Sequence, residues 1–198
     1  MNVSELFQIK RQEIRALHLN WIAFFICFYV WFNMAPLATT MIKAAGGWLT
    51  MDDIKLFAIC NVALTIPARM FFGMLQDKFG PRKCFTALMI LMAIPCFFFA
   101  WGDSKVQLLL SRLFLSMVGA SFSIGIHMTA LWFKPKDVGF AEGFYAGWGN
   151  FGAAGAAMTL PWIASSIFGG DDGWRYAITS NAVVMLVYAF IYYIFMTD

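Results

Sequence analysis

Six runs of apolar residues, at about 17–41, 54–75, 84–101, 106–132, 143–168 and 175–196, fill most of this 198-residue chain. Each is near the ~20 residues an α-helix needs to cross the hydrocarbon of a bilayer. Hydrocarbon offers no water to a backbone amide, so a spanning segment must bond its own N–H and C=O groups, and a helix does so. The chain is therefore expected to be all-α: a polytopic membrane protein, one domain over 1–198, built as a six-transmembrane-helix bundle. Its 61% hydrophobic and 13% charged composition, with mean hydropathy +0.71, excludes an ordinary soluble domain. A net charge of +3 is too small to suggest nucleic acid. Cys27, Cys60, Cys84 and Cys96 lie in or beside apolar runs without C-x-x-C spacing, and read as small buried apolar residues. No nucleophile–base set, metal cluster or phosphate-cradling loop marks an enzyme, and no cofactor is implied. The first run is too long for a cleaved signal and lacks a small-residue cleavage pattern, so it is expected to remain as an anchor.

Basic residues orient the spans. With the N-terminus inside, Lys10, Arg11, Arg15, Lys78, Arg82, Lys83, Lys134 and Lys136 are cytoplasmic, against Lys43, Lys55, Lys105 and Arg175 outside. The positive-inside rule then puts both termini in the cytoplasm. Trp48, Trp101 and Trp174 near outer ends, and Trp132 at an inner one, suit an interfacial aromatic belt.

Polar residues recur at helical spacing in four spans. Span 1 aligns Tyr29, Asn33, Pro36 and Thr40, and span 2 aligns Asn61, Thr65, Arg69, Gly73 and Asp77. Span 4 aligns Arg112, Ser116, Gly119, Ser123 and His127, and span 6 aligns Asn181, Tyr188 and Tyr192. These stripes predict a shared hydrated cavity, whereas span 3 is apolar nearly all round and is expected to face lipid. Arg69 lies about four residues from the middle of its span, some 6 Å along the axis. A charge that deep costs at least ~2.5–3.5 kcal/mol, so it should face the bundle interior and have a task. Snorkelling or a structural ion pair is the plainer alternative, although no carboxylate within a turn offers a local partner. A guanidinium without a carboxylate suits a planar oxyanion, which accepts two parallel bonds from its fork.

Span 5 is rich in small residues. Gly143, Gly147, Asn150 and Ala154 share one face, and Gly149, Gly152, Ala156 and Thr159 share the opposite one. Close helix packing alone explains such glycines. Asn150 adds an amide amid small residues, expected to be buried, with room for a small ligand and a donor to offer it.

Two motifs carry a family resemblance. Gly73-Met74-Leu75-Gln76-Asp77-Lys78-Phe79-Gly80-Pro81-Arg82-Lys83 resembles the loop between helices 2 and 3 of major facilitator transporters. In physical terms, Gly73 allows a close neighbour and Asp77 can accept from the next helix's amides. Gly80 and Pro81 turn the chain, and Arg82 and Lys83 anchor it in headgroups. The run Gly147-Trp148-Gly149-Asn150-Phe151-Gly152-Ala153 resembles the nitrate signature of the nitrate/nitrite porter family, and Trp132 to Gly143 looks like that family's helix 4–5 loop. The resemblance implies the six-helix N-terminal half of a twelve-helix fold, itself a 3+3 inverted repeat, in a bacterial inner membrane. It implies nitrate or nitrite as substrate, moved by anion exchange or proton symport in nitrate assimilation. Arg69 would hold the anion, and Asn150, Gly149 and Gly152 would form the pocket wall; the stripe of span 1 adds Tyr29 and Asn33 as candidate binding residues. It also implies a second arginine from another half, so a separate six-helix chain or a self-dimer is an expected partner beside membrane lipid.

The helix 4 pattern of proton-coupled members, roughly R-x-x-Q-G-x-G-A-A, is only partly present. Leu115, Ser116 and Val118 follow Arg112, and only Gly119 and Ala120 are compatible. Coupling and structural roles both stay open for Arg112, and His127 is either a proton relay or hydrogen-bonded structure. A porter of other small anions (carboxylates or organophosphates) and a truncated, non-transporting or regulatory subunit are the alternative functions.

Overall fold

The computed structural model describes residues 3–197, and all regular structure among them is helical. Six helices are long and apolar enough to cross a membrane: α1 (Gln12–Ala44), α2 (Met51–Phe79), α3 (Pro81–Ala100), α4 (Lys105–Trp132), α5 (Pro135–Phe168) and α6 (Gly173–Phe195). Each overlaps one predicted run. The largest difference is at α5, which begins at Pro135 instead of near 143. Proline has no N–H to lose in a first turn, and the polar residues that follow continue the helix outside the hydrocarbon. Between α2 and α3 the chain turns at Gly80, whose φ of +83° is open to glycine, and Pro81 starts the next helix.

The neighbours have a simple order. α1 packs on α5 and α6, and α4 packs on α2 and α3. The α2–α3 contact is matched by α5–α6, while α1–α4 and α3–α6 close the bundle. Exchanging each helix for the one three positions along maps this set onto itself. Helices three apart run in opposite directions across the membrane, so this is a 3+3 inverted repeat.

The expectation that span 3 faces lipid is corrected. One side of α3 buries Phe85, Leu88, Met89, Cys96 and Phe99, while Leu91, Ile94 and Phe98 are exposed on the other. Lipid and protein interior are equally apolar, so a uniformly apolar helix gives no sign of which one covers it. Trp174 also departs from the predicted belt: it is buried, with the Arg175 guanidinium 4.6 Å from its ring. Trp48 and Trp101 are exposed, as a belt requires.

Ion pairs sit at the helix ends. At one end of the bundle, Lys105 pairs with Asp53 at 2.8 Å, joining the starts of α4 and α2, and Arg175 pairs with Asp103 at 3.0 Å. At the opposite end, Arg11 joins the 3-10 turn Val3–Phe7 to α1 through Glu5 and Glu13, and bonds from Glu13 and then Glu5 raise its pKa.

Candidate functional site

Three helices are broken, and their breaks meet. α1 leaves α-helical form after Trp31 and resumes at Ala38, across Pro36. α2 breaks at Leu64, where Pro67 has no N–H to offer the Ala63 carbonyl. α4 tightens to a 3-10 stretch over Ser116–Ala120. Each break frees backbone groups that hydrocarbon cannot satisfy, and side chains of the neighbouring helices supply the missing bonds. Ser116 Oγ accepts from the Leu64 N–H at 3.0 Å, and Thr65 Oγ1 donates to the Ser116 carbonyl at 3.2 Å. Asn61 Nδ2 donates to the Trp31 carbonyl at 2.9 Å, and Trp31 Nε1 donates back to the Asn61 carbonyl at 2.6 Å.

Arg112 belongs to this knot. It is 0% exposed, Nη2 donates to Asn33 Oδ1 at 2.6 Å, and Nη1 reaches the Trp31 carbonyl at 3.4 Å. Its guanidinium lies 3.7 Å from the Phe99 ring centroid. So enclosed, Arg112 has the geometry of a clamp on the α1 break, and of the two roles left open by the sequence the structural one fits. Asn33 is likewise 0% exposed, committed to Arg112 and, at 3.8 Å, to Cys96 Sγ. Its expected place in a substrate pocket is corrected.

Arg69 is disposed differently. It is half-buried, and its Nε donates to the Gly119 carbonyl at 3.1 Å, inside the 3-10 stretch of α4. The guanidinium carbon sits 5.3 Å from the Phe122 ring centroid. Both terminal amino groups of Arg69 make no hydrogen bond to the described residues, and no carboxylate among them pairs with it. It opens on a depression of about 520 Å³ lined by α4 residues that include Phe122, Ser123, Ile126 and His127. A cation tethered by one N–H, with its fork free, can grip an anion without losing its own support. The neutral alternative of a structural ion pair finds no partner here. His127 lines the same depression.

The other predicted site residues separate. Gly149 and Gly152 pack on α1: a Cβ at Gly149 would meet Phe24 Cδ1 at 1.8 Å, and one at Gly152 would meet the Phe25 carbonyl at 2.2 Å. These two glycines make helix contact, not a pocket wall, which corrects that expectation. Gly143, Gly147, Asn150 and Ala154 form the exposed face of α5, and a Cβ on either glycine would meet nothing within 4 Å. Asn150 is exposed, contrary to expectation, and its Nδ2 bonds the Ala146 carbonyl of its own helix at 2.7 Å. Tyr29 bonds Thr159 at 2.5 Å and lines a separate cleft with α6 residues. The stripes are therefore mostly interhelical bonds, not one hydrated cavity: Tyr188 donates to the Leu19 carbonyl and Tyr192 to Asn20 Oδ1.

In the hairpin, Gly80 turns as expected and Lys83 is exposed. Three details differ. No neighbour within the chain approaches a Cβ built on Gly73 to within 4 Å. Asp77 is exposed and bonds none of the described residues, so α3's amides are not capped by it. Arg82 turns toward α6, 4.7 Å from the Tyr193 ring centroid, while Lys83 alone points outward.

Phe122 was not singled out by its sequence, because one more phenylalanine among 22 carries no signal. The Gly119 carbonyl was equally hidden, since a backbone acceptor within a 3-10 stretch leaves no mark in the side-chain pattern. Phe122 also connects α4 to α5 by way of α1: its ring lies 5.8 Å from Phe24, which stacks on Tyr145 of α5 at 4.8 Å.

Comparison with known proteins matches residues 21–198 to the Major Facilitator Superfamily. The chain is 46% identical over 194 residues to the nitrate/nitrite transporter NrtP of Nostoc punctiforme, covering 96% of this chain and 38% of that protein. It is 42% identical to NrtP of a Picosynechococcus species, over 93% of this chain and 38% of the relative. A probable nitrate/nitrite antiporter NarK1 of Thermus thermophilus is 30% identical, over 95% of this chain and 43% of the relative. The chain thus spans less than half the length of each of these relatives.

Proposed function

The chain belongs to the Major Facilitator Superfamily, and on that premise we propose that it forms one six-helix half of a nitrate/nitrite transporter working by alternating access. The observation that carries this reading is Arg69, tethered through Nε to the Gly119 carbonyl with its fork free over the Phe122 ring. Nitrate and nitrite are small, flat anions whose oxygens suit two parallel N–H bonds. The aromatic face beside them excludes water, which strengthens the charge interaction. The substrates in the names of these relatives agree with that chemistry.

Asn150 and the open face of α5 supply the second flank, and another six helices, on a separate chain or a second copy, supply the opposite wall and a second cation. His127, beside Arg69, is the group placed to carry a coupled proton, with exchange of one anion for another as the other mode. Both termini lie in the cytoplasm of a bacterial inner membrane.

Uptake of nitrate into proteoliposomes, with this chain and a complementary half reconstituted together, tests the reading. Arg69→Lys keeps the charge but loses the fork, and is expected to cut uptake about 10- to 100-fold. Wild-type uptake by Arg69→Lys overturns the bidentate site, and uptake by this chain alone overturns the half-transporter. Competition by formate or oxalate as strong as by nitrite favours a broader anion porter instead.

A further inference from the structure

We propose that the outward-facing groove between α3 and α4 is a binding site for one glycerolipid, its acyl chain along the groove and its ester carbonyl on the Ser111 hydroxyl. The groove has a volume of about 720 Å³ and walls of Leu91, Ile94 and Phe98 on one side and Val106, Phe114 and Met117 on the other. Leu91, Ile94, Phe98, Val106 and Phe114 are all at least half exposed, so the chain itself leaves this surface open.

Three observations say what covers it. Length is the first: below Ser111 the groove continues to Met117, ~9 Å of helix, which holds the upper part of one acyl chain within a leaflet of ~15 Å. Polarity is the second. The groove is apolar along its length and has Ser104 and Gln107 at its outer end, where a headgroup and glycerol would lie. Ser111 is the third. It lines the groove, is only 5% exposed, and its hydroxyl makes no hydrogen bond to the described residues.

An unused hydroxyl in hydrocarbon is costly, because no water replaces the missing partner. Ser111 lies ~9 Å below the start of α4, the level at which the ester carbonyls of an outer-leaflet lipid enter the membrane. A lipid merely coating a helix needs no such donor. Pro95 also lines the groove, and without an N–H it leaves the Leu91 carbonyl, on the same wall, lacking its helical donor.

The test uses the full chain in nanodiscs doped with a glycerophospholipid carrying a diazirine in its acyl chain, followed by peptide mapping of the photolabel. Label is expected on 91–98 and 106–117 in preference to the lipid-facing Val183 and Val187 of α6. Ser111→Ala is expected to lower labelling of the groove about three- to tenfold, the loss of one hydrogen bond. Ile94→Trp fills the groove and is expected to abolish it, with unfolding temperature reporting that both variants are folded. Even labelling of groove and α6, labelling unchanged in both variants, or a cross-link to protein in place of lipid each overturns the proposal.

Discussion

Two arginines in the middle of a membrane protein have opposite fates, and their surroundings explain why. Arg112 spends its fork on Asn33 and the Trp31 carbonyl and is sealed against Phe99. Arg69 spends only Nε, on the Gly119 carbonyl, and keeps its fork. Sequence spacing placed both on polar stripes but could not say which guanidinium would be sealed, because burial depends on which neighbouring helix comes close. The glycines of α5 divide in the same way. Gly149→Ala or Gly152→Ala drives a Cβ into Phe24 or into the Phe25 carbonyl, and each is expected to cost about 1–3 kcal/mol or to prevent folding. Gly143→Ala and Gly147→Ala meet open space and should leave stability unchanged or raise it by up to about 1 kcal/mol. Thermal unfolding in detergent separates the two pairs; equal losses at all four positions would contradict the packing described.

At the scale of elements, the breaks in α1, α2 and α4 behave as one feature. A broken helix in hydrocarbon is tolerable only where another element bonds the freed groups. Ser116 does this for α2, accepting from the Leu64 N–H at the break. Ser116→Ala should therefore cost about 1–3 kcal/mol, the price of an unsatisfied buried donor. Pro67→Ala lets α2 run on as regular helix, so that Leu64 bonds within it. In that background Ser116→Ala should cost less, with a coupling of at least about 0.5 kcal/mol in a double-mutant cycle of unfolding free energies. Strict additivity would mean that Ser116 does not serve the break. Pro36 and Pro67 are visible in the chain, and they announce irregularity. That three irregularities sit at one level is not visible, because it depends on how α1, α2 and α4 are docked.

For the whole molecule, the inverted repeat makes α1 and α4 central, and leaves one face of α2 and one of α5 uncovered. Ile66, Met70 and Met74 on α2 and Trp148, Met158 and Trp162 on α5 are exposed apolar residues of this kind. Orientation in the bilayer is a property of the same scale, set by the sum of basic residues at the helix ends. Lys43 and Lys78 are both exposed, on opposite sides of the membrane in this orientation. In a Cys60→Ser background, Lys43→Cys should react with a membrane-impermeant maleimide on intact cells. Lys78→Cys should react only after permeabilisation. The reverse pattern would invert the topology, and with it the side on which the Arg11–Glu5 tether lies.

Reading the chain alone was enough for the number of spans and the all-helical class, and it made Arg69 conspicuous as a deep charge. Each of these follows from the solvent: hydrocarbon demands long apolar helices and makes a deep charge conspicuous. The two faces of α5 were also visible as faces, since helical periodicity is local. Which face packs, however, was decided by the tertiary structure, as were the burial of α3, the sealing of Arg112 and the free fork of Arg69. Those outcomes turn on contacts between residues far apart in the chain, such as Phe24 with Gly149 and Arg69 with Gly119. In a membrane, an apolar side chain is equally at home against lipid or protein, so hydrophobicity cannot make that choice in advance. Close packing of small residues and the pairing of stranded polar groups make it instead, and both exist only once the helices have met.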